Sequence, residues 1–170
     1  MQTRSSDVSD GLEFEEFYRA EFPNLVRAMF LLVPDDDEAQ ELAQEAMVRV
    51  YERWNRVRSM DRPGGYVYQV AVNLNRRRIR SLAMRTRRLL MFGGGLQHVE
   101  TTETRRELSE AIGSLSMRLR EAFMLVDWLG MSSEEAGRIL QIEPASVRSR
   151  VHRARNELRS HLTAGEDGHG

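Results

Sequence analysis

From Asp36 to Val57 the apolar residues Ala39, Leu42, Ala43, Ala46, Met47, Val50, Tyr51, Trp54 and Val57 return every three or four positions. They form one continuous stripe along a helix. The same spacing runs through nearly every other segment, and nothing reads as a strand. The chain is thereby restricted to an all-α fold in which each helix buries one stripe against its neighbours.

The segment "LEFEEFYRAEFPNLVRAMFLLV" carries Phe14, Phe17, Tyr18, Leu25, Val26, Met29, Phe30 and Val33 at helical spacing, with Pro23 placed to kink it or to divide it into two helices. "VPDDDEAQ" is a turn into a helix start whose acids suit the positive end of the helix dipole. "SMDRPGG" ends the 36–57 helix, and Asp61 with Pro63 reads as the cap and first turn of the next. That helix, roughly 63–90, is expected to bury Val67, Val70, Ala71 and Leu74 before it turns arginine-rich. "FGGGLQHVETTET", residues 92–104, has three consecutive glycines and no periodicity, as a flexible linker has.

Beyond it, "RRELSEAIGSL" and "MRLREAFMLVDWLG" supply two apolar-faced helices, the second ending at Gly130 as a C-cap. Ser132 or Ser133 then caps a short helix running to about Leu140, "QIE" makes a tight turn, and Pro144 opens a longer basic helix. A short helix, a tight turn and a longer basic helix make a helix-turn-helix. The tail "TAGEDGHG" reads as unstructured. The expected organisation is two small helical domains, residues 12–92 and 107–163, joined by a flexible linker over 93–106.

Charge is sharply segregated although the chain as a whole carries only −1. Residues 1–45 hold three arginines against twelve acids, a net −9, whereas residues 46–92 hold twelve arginines against two acids, a net +10. Separate acidic and basic surfaces imply separate partners. All 25 basic residues are arginine, which reflects either a GC-rich coding bias or a demand for planar, forked donors.

The most concentrated positive charge lies in residues 144–160, with five arginines and the single acid Glu157. At 100° per residue, Val147, Val151, Ala154, Leu158 and Leu162 fall within an arc of about 80°, the side that must be buried. The opposite side presents Ala145, Ser146, Ser149, His152, Arg153 and Asn156. Arg148, Arg155 and Arg159 flank that surface on one edge and Arg150 on the other. A small, hydrogen-bonding stripe bordered by guanidinium groups suits a major groove with phosphate walls. A solvated arginine face is the plain alternative; the turn and the capped helix before it favour DNA.

Other function classes find little support. There is no cysteine, which removes disulfides, thiolate nucleophiles and cysteine zinc sites and fits a cytoplasmic protein. No apolar run approaches the roughly 20 residues of a membrane span, and the N-terminus lacks a secretory pattern. Only His98, His152, His161 and His169 are available for acid–base work, and no HExxH, GxSxG or Walker sequence occurs. No enzyme activity, metal or cofactor is expected.

Taken together, the segments resemble a bacterial RNA polymerase sigma factor of the extracytoplasmic-function group, over about residues 12–163. "EAQELAQEAMVRVYERW" resembles that family's region 2.2, which docks on the clamp helices of the polymerase β′ subunit. "GGYVYQVAVNLNRRRIR" resembles regions 2.3 and 2.4, which open and read the −10 element, and "SSEEAGRILQIEPASVRSRVHRARNELR" resembles region 4, which reads the −35 element as duplex.

The resemblance implies that Glu41, Gln44 and Glu45 bind core polymerase, with glutamate at position 41 where the family usually has aspartate. It implies that Asn73 reads a flipped-out base, its amide offering donor and acceptor. Tyr66 is implied to stack on an unpaired base, whereas Tyr68 is the better candidate for core packing. Arg76, Arg77, Arg78 and Arg80 are implied to follow the separated strand. Ser146, Arg148, Ser149, Arg150, His152, Arg153 and Asn156 are implied to meet −35 DNA.

Gly64 and Gly65 depart from the pattern, since bulkier residues usually open this helix; glycine costs about 1 kcal/mol in a helix interior, so a frayed or looped start is expected. The partners implied are core RNA polymerase, promoter DNA in duplex and single-stranded form, and an anti-sigma factor masking the exposed surfaces. A stand-alone helix-turn-helix regulator, with residues 12–92 as a sensor or dimerisation domain, is the competing reading, and a pure interaction protein is another.

Overall fold

Every described residue that lies in regular structure is helical. The computed structural model describes residues 3–92 and 111–166, with side chains described at 11, 13–84 and 111–161. The expected linker therefore lies outside the described residues.

Helix α1 (Thr3–Leu32) runs through Pro23 without dividing. Proline removes one backbone donor and presses on the carbonyl four residues earlier, but here both Pro23 and Arg19 face solvent, where water can satisfy the freed carbonyl. Buried Leu25, Ala28, Met29 and Leu32 hold the C-terminal half of the helix against the core. The expected division at Pro23 does not occur.

Helix α2 (Asp36–Tyr51) is capped by Asp35, whose side chain accepts a hydrogen bond from the Glu38 N–H at 2.9 Å. Asp36, Asp37 and Glu38 fill its first turn. It does not continue to Val57. The chain breaks at Glu52–Arg53 and resumes as the single turn α3 (Trp54–Val57). The break swings Trp54 and Val57 into the core, where the Trp54 ring lies 5.3 Å from Phe14 and 5.0 Å from Phe17. Tyr51 is left 58% exposed, with Phe14 against its ring at 4.8 Å. The expected continuous stripe therefore stops at Val50.

Helix α4 (Pro63–Phe92) opens on Pro63 as expected. Gly64 and Gly65 are helical rather than frayed, and a side chain at 64 would meet the Glu21 carboxylate at 2.7 Å. Glycine leaves room for that carboxylate beside the helix start. Burial pushes the Glu21 carboxyl above its ordinary value, and the Tyr68 phenol is raised by burial first and by the Glu21 charge second.

After the helical residues 111–114, α5 (Met117–Phe123) continues into a π-helical turn, Met124–Trp128, that ends at Leu129 and at Gly130 with φ 68°. Helix α6 (Ser133–Leu140) starts on a reciprocal capping box between Ser132 and Glu135. It stops at Gln141, whose φ of 59° is the left-handed C-cap geometry. Helix α7 (Pro144–Glu166) begins at Pro144 and extends four residues into the segment expected to be unstructured. Lengthening an existing helix avoids the cost of a new nucleus.

The N-terminal and C-terminal helices share one continuous core. Leu25, Met29, Met47 and Val72 belong to the same buried cluster as Leu125, Ile139, Leu140, Val147 and Val151. Each such side chain contributes about 1.5–3 kcal/mol when fully buried. A smaller cluster of Leu115, Leu119 and Ala154 anchors α5 on α7.

Candidate nucleic-acid interface

Three faces carry most of the residues expected to be functional. On α4, Tyr66, Asn73, Arg76, Arg77 and Arg80 fall within an arc of about 100°. Asn73, Arg77 and Arg80 are exposed. Tyr66 is half-buried and its hydroxyl accepts a hydrogen bond from Arg53 Nη1 at 3.2 Å, which raises the Arg53 guanidinium further. Arg76 sits at the edge of the stripe and is turned toward α5. There its Nε and Nη2 donate to the two carboxylate oxygens of Glu121 at 2.8 and 2.6 Å. Arg78 points to the other side of α4 and pairs with Glu38. Tyr68 is buried in the core.

The helix-turn-helix places α7 with Val147, Val151 and Ala154 buried. Leu158 is half-buried, and the Leu162 side chain lies outside the described residues. The opposite face presents Ala145, Ser146, Ser149, His152, Arg153 and Asn156, all exposed. His152 Nε2 and Asn156 Nδ2 lie 3.1 Å apart, with the amide as donor when the ring nitrogen is unprotonated. Arg148 is exposed, 3.7 Å from Glu134, a distance at which a solvated ion pair contributes little.

Two arginines of this helix do not join that face. Arg155 is held by Asp127 of the π turn through two hydrogen bonds of 2.5 and 3.0 Å, which raise its pKa. Arg150 is half-buried; burial first and the Arg118 charge second lower its pKa, and Glu121 and Arg76 also act on it.

The third face is on α2. Glu41, Gln44 and Glu45 are exposed and lie off the buried stripe of Ala39, Leu42, Ala43, Ala46, Met47 and Val50. Glu45 pairs with Arg49 at 2.5 Å, within the same helix. Glu41 and Glu45 line a groove of about 380 Å³ whose far wall is Arg77, Arg78 and Ser81 of α4. Val48, outside the residues expected to dock, continues this stripe at 56% exposure. Its position seven residues after Glu41 was the available signal.

An exposed polar and arginine-bearing face on α7, a basic stripe on α4 and an acidic face on α2 suit the class of chain that binds nucleic acid and a second partner of different chemistry. Comparison with known proteins narrows this class. A model described as sigma-70 region 2 matches residues 17–85, and one described as sigma-70 region 4 matches residues 105–158. The RNA polymerase sigma-E factor of Streptomyces coelicolor is 32% identical over 159 residues, covering 92% of this chain and 90% of that one. The ECF RNA polymerase sigma factor SigE of Mycolicibacterium smegmatis is 29% identical over 161 residues, 88% of this chain and 61% of that protein.

Among solved structures, the sigma factor RpoE of Bartonella quintana, in complex with the anti-sigma factor NepR, superposes with a TM-score of 0.77 at 22% identity over 89% of this chain and 97% of that one. CnrH, in complex with the cytosolic domain of CnrY, gives 0.66 at 21% identity over 89% and 88% of the two chains. The chain belongs to the sigma-70 family of RNA polymerase sigma factors, in its extracytoplasmic-function group.

Proposed function

We propose that this chain binds core RNA polymerase through α2 and directs transcription to promoters by reading the −10 element with α4 and the −35 element with α7. The observation that supports the reading is that the polar stripe of α4, exposed at Asn73, Arg77 and Arg80, and the exposed face of α7 occur in one chain matched by sigma region 2 and sigma region 4 in that order. The two functional units are residues 12–92 and 107–163, with 93–106 as their tether.

Docking uses Glu41, Gln44 and Glu45, whose charge suits a basic and polar partner helix on the polymerase β′ clamp. Exposed Val48 supplies an apolar contact in the middle of a charged surface, where a desolvated anchor contributes most. Once docked, Asn73 receives a flipped-out base and Tyr66 offers a ring to stack on, while Arg77 and Arg80 follow the strand's phosphates. Capturing the unpaired base offsets part of the unstacking cost. On the upstream duplex, Ser146, Ser149, His152, Arg153 and Asn156 enter the major groove. Arg148 holds a phosphate at its wall. Two tethered contacts reinforce one another through effective concentration.

The protein supplies binding energy and no bond-making chemistry, and it works in the cytoplasm beside polymerase. Among the described residues no helix is long and apolar enough to cross a membrane. Because the structurally similar sigma factor RpoE was solved in complex with the anti-sigma factor NepR, an anti-sigma factor is a further partner of this one. Run-off transcription with purified core polymerase and a genomic DNA library tests the proposal. Transcripts starting downstream of a shared two-part motif are expected. Tight duplex binding without polymerase, and no transcripts with it, would identify a stand-alone regulator instead.

A further inference from the structure

Along the edge of α7 that borders its exposed face, Arg148, Arg155 and Arg159 fall within about 40° of arc. This is the edge proposed to lie against a phosphate wall, and Arg155 is its middle member. The Arg155 side chain is 51% exposed, yet its Nε and Nη2 are both taken by the Asp127 carboxylate, at 3.0 and 2.5 Å. A forked pairing with two oxygens of one anion is the geometry an arginine offers a phosphate. The chain thus supplies its own anion to one of the cations placed to grip DNA.

Asp127 is positioned by the way α5 meets α7. Leu115, Leu119 and Ala154 form the small core between them, with Phe123 and Leu158 packed against it. Asp127 stands four residues beyond Phe123 and eight beyond Leu119, so it prolongs the α7-facing side of its helix. It does so on the π-helical turn Met124–Trp128, anchored by the fully buried Met124 and Leu125. Turns of this kind are rare and concentrate at functional sites. The Asp127 side chain is only 20% exposed, so little water would replace Arg155 if it left. Stranding a mostly buried carboxylate is costly, and the pair therefore persists when α7 meets DNA.

We infer that Asp127 is a positioning residue that sets the specificity of −35 reading: it holds Arg155 back from the phosphate wall and so limits the sequence-independent grip of α7. The inference rests on the −35 role proposed above. Phosphate contacts strengthen binding to every sequence, whereas Ser149, Arg153 and Asn156, placed to reach base edges, stay exposed with Arg155 withheld. A cognate complex is fixed in register by its base contacts, while a non-cognate one settles wherever its cations best meet phosphates. A freed Arg155 would strengthen the second more than the first, and Asp127 prevents this.

The test titrates the full chain, by fluorescence anisotropy, onto two duplexes at several salt concentrations. One carries the −35 element recovered from run-off transcripts and the other a scrambled version. Asp127→Asn keeps the shape and removes the charge. On the scrambled duplex it is expected to steepen the slope of log affinity against log salt by about 0.9, one added phosphate contact. Between 1 M and 0.1 M salt that makes the gain in affinity about eightfold larger than the parent's. The gain on the −35 duplex is expected to be smaller, so discrimination falls. Arg155→Gln is expected to leave the parent slope unchanged, and Asp127→Asn combined with Arg155→Gln to return to it. A pair that only braced the fold would lower Tm and weaken binding without adding to the slope.

A flatter slope for Arg155→Gln would show that Arg155 already holds a phosphate, and it overturns the inference. So does an unsteepened slope for Asp127→Asn, or an equal gain on both duplexes. If the parent yields no run-off transcripts with core polymerase, promoter reading itself falls and the inference with it. With transcripts in hand, those three outcomes strike the role of Asp127 alone.

Discussion

Gly137 sits in the last turn of α6, buried, with the carbonyl of Ile142 folded back over it as the helix-turn-helix reverses direction. A methyl group there would lie 2.8 Å from that carbonyl oxygen and 3.6 Å from the Pro144 nitrogen. Gly137→Ala therefore sets two effects against each other. Alanine gains about 1 kcal/mol over glycine in a helix, while forcing packed atoms apart costs about 1–3 kcal/mol. The obstructing atom is backbone, in a turn pinned by the hydrogen bond from the Ile142 N–H to the Gly137 carbonyl at 3.0 Å and by the left-handed Gln141.

It cannot swing aside as a side chain would, so overpacking prevails by about 1 kcal/mol, a fall of about 2–4 °C in Tm for a chain of this size. Gly113→Ala is the matched control, because that glycine is helical and exposed, with nothing within 4 Å of the added carbon. Thermal unfolding followed by circular dichroism is expected to move the two variants in opposite directions. Affinity for −35 duplex should fall only for Gly137→Ala, since the shifted turn re-aims α7. If Gly137→Ala is as stable as Gly113→Ala, the close approach does not constrain the turn and the reasoning fails.

Asn73→Ala is expected to impair promoter opening, read by permanganate reactivity of unpaired thymines, while leaving polymerase binding intact; normal opening would remove Asn73 from base reading. Arg153→Ala is expected to weaken −35 recognition by about 1–3 kcal/mol and to flatten the preference among −35 variants, and an unchanged preference would count against it. Burial raises the Glu21 carboxyl, so the folded chain favours its protonated form and loses stability as pH rises from the ordinary carboxylate value through the raised one. Glu21→Gln should then raise Tm at pH 7 and have little effect near pH 4, and an equal effect at both would reject the burial argument.

Features set by near neighbours in sequence were legible before the structure. The Ser132–Glu135 capping box, Pro144 at the first turn of α7 and the buried arc of Val147, Val151 and Ala154 depend on residues within a few positions of one another. The exposed face of α7 follows from the same periodicity. Features set across the chain were not legible. The break after Tyr51 is driven by burial of Trp54 against α1 rings, which helical spacing cannot anticipate. The carboxylate that approaches Gly64 comes from Glu21, 43 residues earlier. Arg76 and Glu121 meet across 45 residues of sequence, and nothing local distinguishes Arg76 from the neighbouring Arg77, which stays exposed.

Docking through α2 is tested most directly by equilibrium binding to core polymerase stripped of its own specificity subunit. The parent chain should bind, and Glu45→Arg, which reverses charge at an exposed position of that face, should weaken binding at least tenfold while leaving helical content unchanged. Failure of the parent to bind would contradict the account outright, and equal binding by Glu45→Arg would move the docking face away from α2.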